Sequence, residues 1–157
     1  MRAIQEQELK AFVESVSHFF EHSTGDGAEV RSAFLADTDQ YLPFFDYAGF
    51  VDVSGEWSGS LCFAAPRGML SHLLVASGLE TISEADHLDL VGEIANMFSG
   101  RARKALGEGL EISVPRRAAG IAIKPANEPR PYVVPVTWRG FDAMVVVDLK
   151  TGRGGAN

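Results

Sequence analysis

Residues 81 to 109, TISEADHLDLVGEIANMFSGRARKALGEG, constrain the fold more than any other stretch. Leu90, Val91, Ile94, Phe98, Ala102 and Ala105 recur at helical spacing on one arc, with Met97 and Leu106 at its margins. A long helix with a single apolar arc must bury that arc against another layer of structure. Ser83 stands where an N-cap belongs, and Glu84 and Asp86 follow in the first turn, near the positive end of the helix dipole. Arg101, Arg103 and Lys104 occupy the last turns, and Gly107 and Gly109 end the run.

The flanking sequence supplies strands for that helix to cover. FDYAGFVDVSG and EWSGSLCFAAP read as a hairpin turning at Ser54-Gly55-Glu56. Pro66 then opens a second helix, PRGMLSHLLVASG, with Gly78 at its C-terminal end. Beyond residue 109, LEISVP (110–115), GIAIKP (120–125), PYVVPVTW (131–138) and DAMVVVDL (142–149) are strand candidates. Arg139-Gly140 fits a turn between the last two, and Pro135 marks its strand as an edge or a bulge. RRAAG (116–120) reads as a small basic patch in an acidic protein, a loop or else a contact for an acidic partner. Upstream, residues 3 to 22 read as one helix carrying Ile4, Phe12, Val13, Val16, Phe19 and Phe20, stopped by the turn formers STGDG. Ala28 to Ala36 reads as a short strand and DTDQYLP as a loop. The fold class is therefore α+β: one largely antiparallel sheet packed against helices. We expect a single domain over residues 1–150 and a frayed tail over 151–157.

Composition narrows the function. The 157 residues are 46% hydrophobic and 22% charged, as in an ordinary globular protein. A net charge of −7 argues against nucleic acid as partner, since that needs a basic face. No stretch has the length and apolarity of a membrane helix, and MRAIQEQELK lacks a signal-peptide core, so the expected location is the cytoplasm with no membrane partner. The single cysteine, Cys62, forms no internal disulfide and reads as a buried strand thiol. His18 and His22 share a helix face but lack a third metal ligand of convincing spacing. His72 and His87 read as isolated, with no sequence support for a triad through Ser71 or Ser83. Trp57 and Trp138 read as packing or interface residues, and GRGG near the end lacks the strand-to-helix passage of a phosphate loop.

The polar side of the long helix is more informative. Advancing ~100° per residue from Asp89 puts Glu93 at about 40°, Asn96 at about −20°, Gly100 at about 20° and Arg103 at about −40°. A polar outer stripe is the default for any helix. Asn96 nevertheless gains nothing in a helix interior, where its amide competes with the backbone. Gly100 removes a side chain from the same stripe, which serves either close approach by another molecule or local packing.

This run, DLVGEIANMFSGRARKAL, resembles the signature of the CheC/CheX/FliY phosphatases of bacterial chemotaxis. Asp89, Glu93, Asn96, Ser99 and Gly100 stand at its positions. YAGFVDVSGEWSGSLCFAAPRGMLSHLL is similar to the family's hairpin and following helix, and LEISVPRRAAG to its next strand, with Pro115 at the family's proline. The first helix carries ESVS, Glu14 followed by Ser17, where a second signature would have Asn. One signature is more like CheX than CheC, and it implies a CheC/CheX-like fold and a homodimer formed through sheet edges.

The resemblance implies a substrate: the aspartyl phosphate of a response-regulator receiver domain, CheY-like. It makes Glu93 and Asn96 catalytic, with Asn96 orienting the attacking water and Glu93 pairing with the receiver's lysine. Asp89, Ser99 and Gly100 become partner-binding residues. No cofactor or metal of its own is implied, the Mg2+ belonging to the receiver. The alternative is a non-catalytic module that binds a receiver, or a second copy of itself, without speeding hydrolysis. Exposure of the stripe 89, 93, 96, 100 is the condition that docking requires.

Overall fold

The structure, a computed structural model, describes residues 4–37, 39–107, 109–125 and 130–151. Among the described residues, four helices lie against one antiparallel sheet. The helices are α1 (Glu6–Val13), α2 (Ser15–Thr24), α3 (Arg67–Ala76) and α4 (Glu84–Leu106). The strands are β1 (Glu29–Val30), β2 (Phe34–Leu35), β3 (Phe45–Gly55), β4 (Trp57–Ala65), β5 (Leu110–Ile112), β6 (Arg116–Ile121), β7 (Tyr132–Trp138) and β8 (Phe141–Thr151). The sheet runs β1-β7-β8-β4-β3-β5, with β2 also on β7 and β6 also on β3.

Alternation along the strands separates two faces. Tyr47, Val51, Val53, Leu61, Phe63, Val145 and Val147 meet Val16, Phe20, Leu70, Val91, Ile94 and Phe98 from the helices in the main core. Each fully buried large apolar side chain there contributes about 1.5–3 kcal/mol. The other face carries Ala48, Cys62, Ala64, Val133, Met144 and Val146, covered by Ala36 and Leu42. Cys62 is buried, and burial pushes its thiol up to about 12, so it is an inert strand residue.

The helix expected over 3 to 22 is interrupted: Glu14 separates α1 from α2, and Ser17 N–H donates to the Glu14 carbonyl at 3.0 Å, tightening the chain there. Neither Gly nor Pro marks the break. The side chain of Phe12 lies outside the described residues. The strand expected over Ala28 to Ala36 is two two-residue strands, β1 and β2, both on β7. Pro135 falls between them. Its carbonyl accepts from Arg31 N–H at 2.9 Å, so its ring nitrogen, which has no hydrogen to donate, faces the same gap. The loop expected at 116–120 is corrected to strand β6, whose backbone pairs with β3 from Phe45↔Ile121 to Phe50↔Arg116. A largely exposed edge strand carries no clear hydrophobic alternation, so RRAAG hid it. GIAIKP correspondingly contributes only Gly120 and Ile121 to strand. Thr151, expected in the tail, pairs with Trp57 as the last residue of β8. Residues 152–157 lie outside the described residues.

Candidate functional site

Helix α4 is fixed at its start and at its middle. The Ser83 hydroxyl accepts from Asp86 N–H at 3.2 Å, and the Asp86 carboxylate accepts from Ser83 N–H at 2.9 Å. This is a reciprocal capping box. The Ser83 hydroxyl also donates to the Asp86 carboxylate at 2.9 Å, and the bonds that this carboxylate accepts, from the Ser83 backbone first and its hydroxyl second, hold it below its ordinary range. At mid-helix, Gly49 of β3 lies directly beneath α4. A Cβ there would overlap the Val91 carbonyl and stand 3.1 Å from Gly92 Cα. The glycine therefore lets helix and sheet touch backbone to backbone.

The apolar arc faces inward as its spacing predicts, with Leu90, Val91, Ile94, Phe98 and Ala102 buried. Ala105 is the exception and is exposed. His87 is also buried, and it is not isolated. Its Nε2 lies 2.7 Å from Ser71 Oγ and its Nδ1 lies 2.7 Å from the Ser83 carbonyl oxygen. A carbonyl only accepts, so Nδ1 donates to it, and Nε2 shares a hydrogen bond with the Ser71 hydroxyl. Tyr47 stacks on the ring at 5.2 Å. The third partner is a carbonyl rather than a carboxylate, so this arrangement ties α3 to α4 and does not form a nucleophilic triad.

On the outer face Asp89, Glu93, Asn96 and Gly100 are all exposed. Docking onto this stripe is therefore sterically open. Among the described residues no hydrogen bond or ion pair holds the side chains of Glu93 or Asn96. A Cβ at Gly100 would meet nothing within 4 Å, so packing within the chain does not require that glycine.

Ser99 is a correction. It is 0% exposed, and its hydroxyl donates to the Ala95 carbonyl at 2.7 Å. At about −80° from Asp89 it rolls under the helix toward the sheet, so it cannot touch a partner. Asp89 is not a free acid either. Arg117 of β6 donates from its guanidinium to the Asp89 carboxylate at 2.5 Å. The spacing of the signature gave no sign of Arg117, because strand register alone brings it to the helix. The available signals were the basic patch RRAAG itself and Gly92, a glycine in mid-helix with no local reason to be there.

The surface is a convex helix face. The groove between α1, α2 and residues 30–33 takes no lining residue from α4. Small molecules are held in concavities, so a protruding carboxamide and carboxylate suit a macromolecule that brings its own pocket. His18 and His22 flank the stripe from α2, in a groove shared with Met97 and Arg101.

This single signature sits on an exposed helix, behind a hairpin and ahead of a strand that returns beside it. The family model for the chemotaxis phosphatase CheX matches residues 47–137. The chain belongs to the CheX family. No curated protein sequence matches it. Among solved structures it is similar to a putative chemotaxis protein from Desulfovibrio vulgaris Hildenborough, at 18% identity and a TM-score of 0.79, covering 92% of this chain and 97% of that one. It is similarly close to the chemotaxis protein CheX from Vibrio vulnificus, at 18% identity and 0.79, covering 92% and 99%. It also matches a chain of the CheX-CheY-BeF3-Mg2+ complex from Borrelia burgdorferi, at 14% identity and 0.72, covering 91% and 97%. The antiparallel sheet with helices on one face is thus the CheX/CheC-like fold. No helix among the described residues is long and apolar enough to cross a membrane.

Proposed function

We propose that this chain accelerates hydrolysis of the aspartyl phosphate on a CheY-like receiver domain in the cytoplasm. The observation that carries the reading is the exposed Asn96 amide, unbonded among the described residues, with the Glu93 carboxylate one turn earlier, on a helix of a CheX-family chain. The two positions differ by about 4.5 Å along the helix axis and about 60° around it, so both reach one partner together.

Phosphoryl transfer depends mainly on positioning and electrostatic stabilisation, and the receiver already supplies Mg2+ and a lysine. The missing part is a placed water. The Asn96 side-chain oxygen accepts a hydrogen bond from that water, and the amide has no charge to repel phosphoryl oxygens. The water oxygen attacks phosphorus as the bond from phosphorus to the aspartyl oxygen breaks. The aspartate leaves as carboxylate, and dihydrogen phosphate retains both water protons. Glu93 pairs with the receiver's lysine and sets how deeply Asn96 enters. Gly100 leaves the surface shallow enough for the receiver's backbone. The unit is taken to be a homodimer joined through sheet edges.

The test is the rate of acyl-phosphate loss from purified phosphorylated receivers of the same cell. Asn96→Ala lowers the stimulated rate by about 100-fold, the scale of a misplaced reactant, with binding retained. Glu93→Ala raises KM about tenfold, or ~1.4 kcal/mol, with a smaller effect on kcat. Equal rates for wild type and Asn96→Ala would remove Asn96 from the mechanism. Wild-type binding without acceleration would favour the non-catalytic module.

A further inference from the structure

We infer that Arg117 is a docking residue of the same surface, its guanidinium engaging a carboxylate on the receiver beside the phosphorylation pocket, with Gly92 and Asp89 holding it in place. This rests on the reading of the chain as a receiver-directed phosphatase.

Register delivers Arg117 to the helix. It pairs with Gly49 in the β3–β6 ladder, and Gly49 lies directly beneath Val91 and Gly92. Residues paired across a ladder point to the same face, so Arg117 rises on the helix side while Arg116 faces the opposite side and pairs with Asp52. The Arg117 stem then crosses α4 at Gly92. A Cβ on Gly92 would stand 2.9 Å from Arg117 Cδ and 3.0 Å from Cγ. Glycine in a helix interior costs about 1 kcal/mol relative to alanine, and here its absent side chain is the trough that admits the arginine.

Stability does not explain the arrangement well. The Arg117 and Asp89 side chains are 42% and 71% exposed. Exposed ion pairs of this kind are worth ~0–1 kcal/mol, no more than the glycine costs. The arrangement does produce a cation of fixed direction. Among the described residues Asp89 is the one group bonded to Arg117, and that bond uses one N–H of a guanidinium that has five.

The charge pattern indicates the partner. The arginine stem crosses at Gly92, about 100° around the helix from Glu93, and its guanidinium ends on Asp89, about 40° from Glu93 and ~6 Å nearer the helix start. A carboxylate at Glu93 and a guanidinium with N–H donors to spare beside Asp89, separated along the axis, can be satisfied together in only one setting of a partner. Arg117 and Asp89 offset each other's charge, so among the described residues Glu93 is the acid of the stripe outside an ion pair, and what Arg117 still offers is its remaining N–H donors. Asn96 lies seven residues, or ~10 Å of axis, beyond Asp89. Arg117 is therefore too far along the helix to reach a phosphoryl group addressed by Asn96. It meets an anion on the rim, and on a protein surface that is a carboxylate, which a planar guanidinium binds with defined geometry.

The test uses the full chain with a receiver that wild type dephosphorylates. Arg117→Ala raises KM about tenfold with kcat within about twofold, and Arg117→Lys is intermediate. Raising salt weakens wild type more than Arg117→Ala, since the variant has lost one screened contact. Asp89→Ala raises KM less than Arg117→Ala, because it frees the arginine without removing it. An unchanged KM in Arg117→Ala overturns the inference. So does an equal loss in Asp89→Ala, Arg117→Ala and the double variant, which would make Arg117 a support for Asp89 alone. A fall in melting temperature with KM unchanged would show a purely structural role. If wild type accelerates no receiver, the phosphatase reading fails separately. Arg117 is then judged by the affinity of wild type and Arg117→Ala for receivers loaded with beryllofluoride and Mg2+, where equal affinities overturn it.

Discussion

Three glycines around α4 have three different reasons. Gly49 is required by internal packing, since any Cβ would overlap the Val91 carbonyl. Gly92 makes room for a side chain from another strand, and Gly100 faces open space. Substitution separates them. Gly49→Ala should destabilise the fold by about 1–3 kcal/mol, the usual cost of overpacking, as measured by urea denaturation. Gly100→Ala should stabilise it by up to about 1 kcal/mol through helix propensity while lowering kcat/KM on a phosphorylated receiver. A Gly100→Ala protein with unimpaired kcat/KM would mean the receiver's backbone does not come close there. Asn96, Glu93 and Gly100 were legible from spacing on one helix, because azimuth on a helix follows from sequence separation alone. Ser99 was not: it lies only about 60° from Asn96, and that is the angle at which this helix meets the sheet.

At the scale of elements, α4 was readable almost to the residue because its cap, charge gradient and terminal glycines agree. Ser83→Ala should cost about 1 kcal/mol of stability through loss of the cap, measured by thermal denaturation at neutral pH. The acid side follows from Asp86, whose carboxyl is held below its ordinary range in the folded chain. Its contribution is present above the unfolded carboxylate value and is lost as pH falls through the lower folded value. The stability gap between wild type and Asp86→Asn should therefore close below about pH 4, and a gap constant from pH 7 to pH 2 would exclude the carboxylate as its source. β6 and the α1–α2 break were not legible. RRAAG lacks the period-two signal because this edge strand is largely exposed, with only Ala118 half-buried among those five residues, and its pairing with β3 is a backbone property. Glu14 breaks the first helix without a glycine or proline, and ESVS there forms no counterpart to the α4 signature.

At the scale of the molecule, the helices cover one face of the sheet and the outer side of β6 pairs with no strand among the described residues. Unpaired strand edges are templates for a second chain. Sedimentation equilibrium should return a mass near twice the 16.9 kDa of the chain, and a concentration-independent monomer would refute the dimer. By itself the sequence determined the α+β class, the hairpin, the α4 helix, its outward amide and carboxylate, and the likeness to CheX. All of these are local: they depend on periodicity, caps and spacing within a single segment. Tertiary structure alone decided that Ser99 turns inward, that His87 bonds Ser71, and that Arg117 crosses Gly92 to reach Asp89, 28 residues away in the chain. Those contacts depend on the register of β6 on β3 and on the height of α4 above the sheet. Both are set by how separate segments pack together, which no single stretch of the sequence encodes.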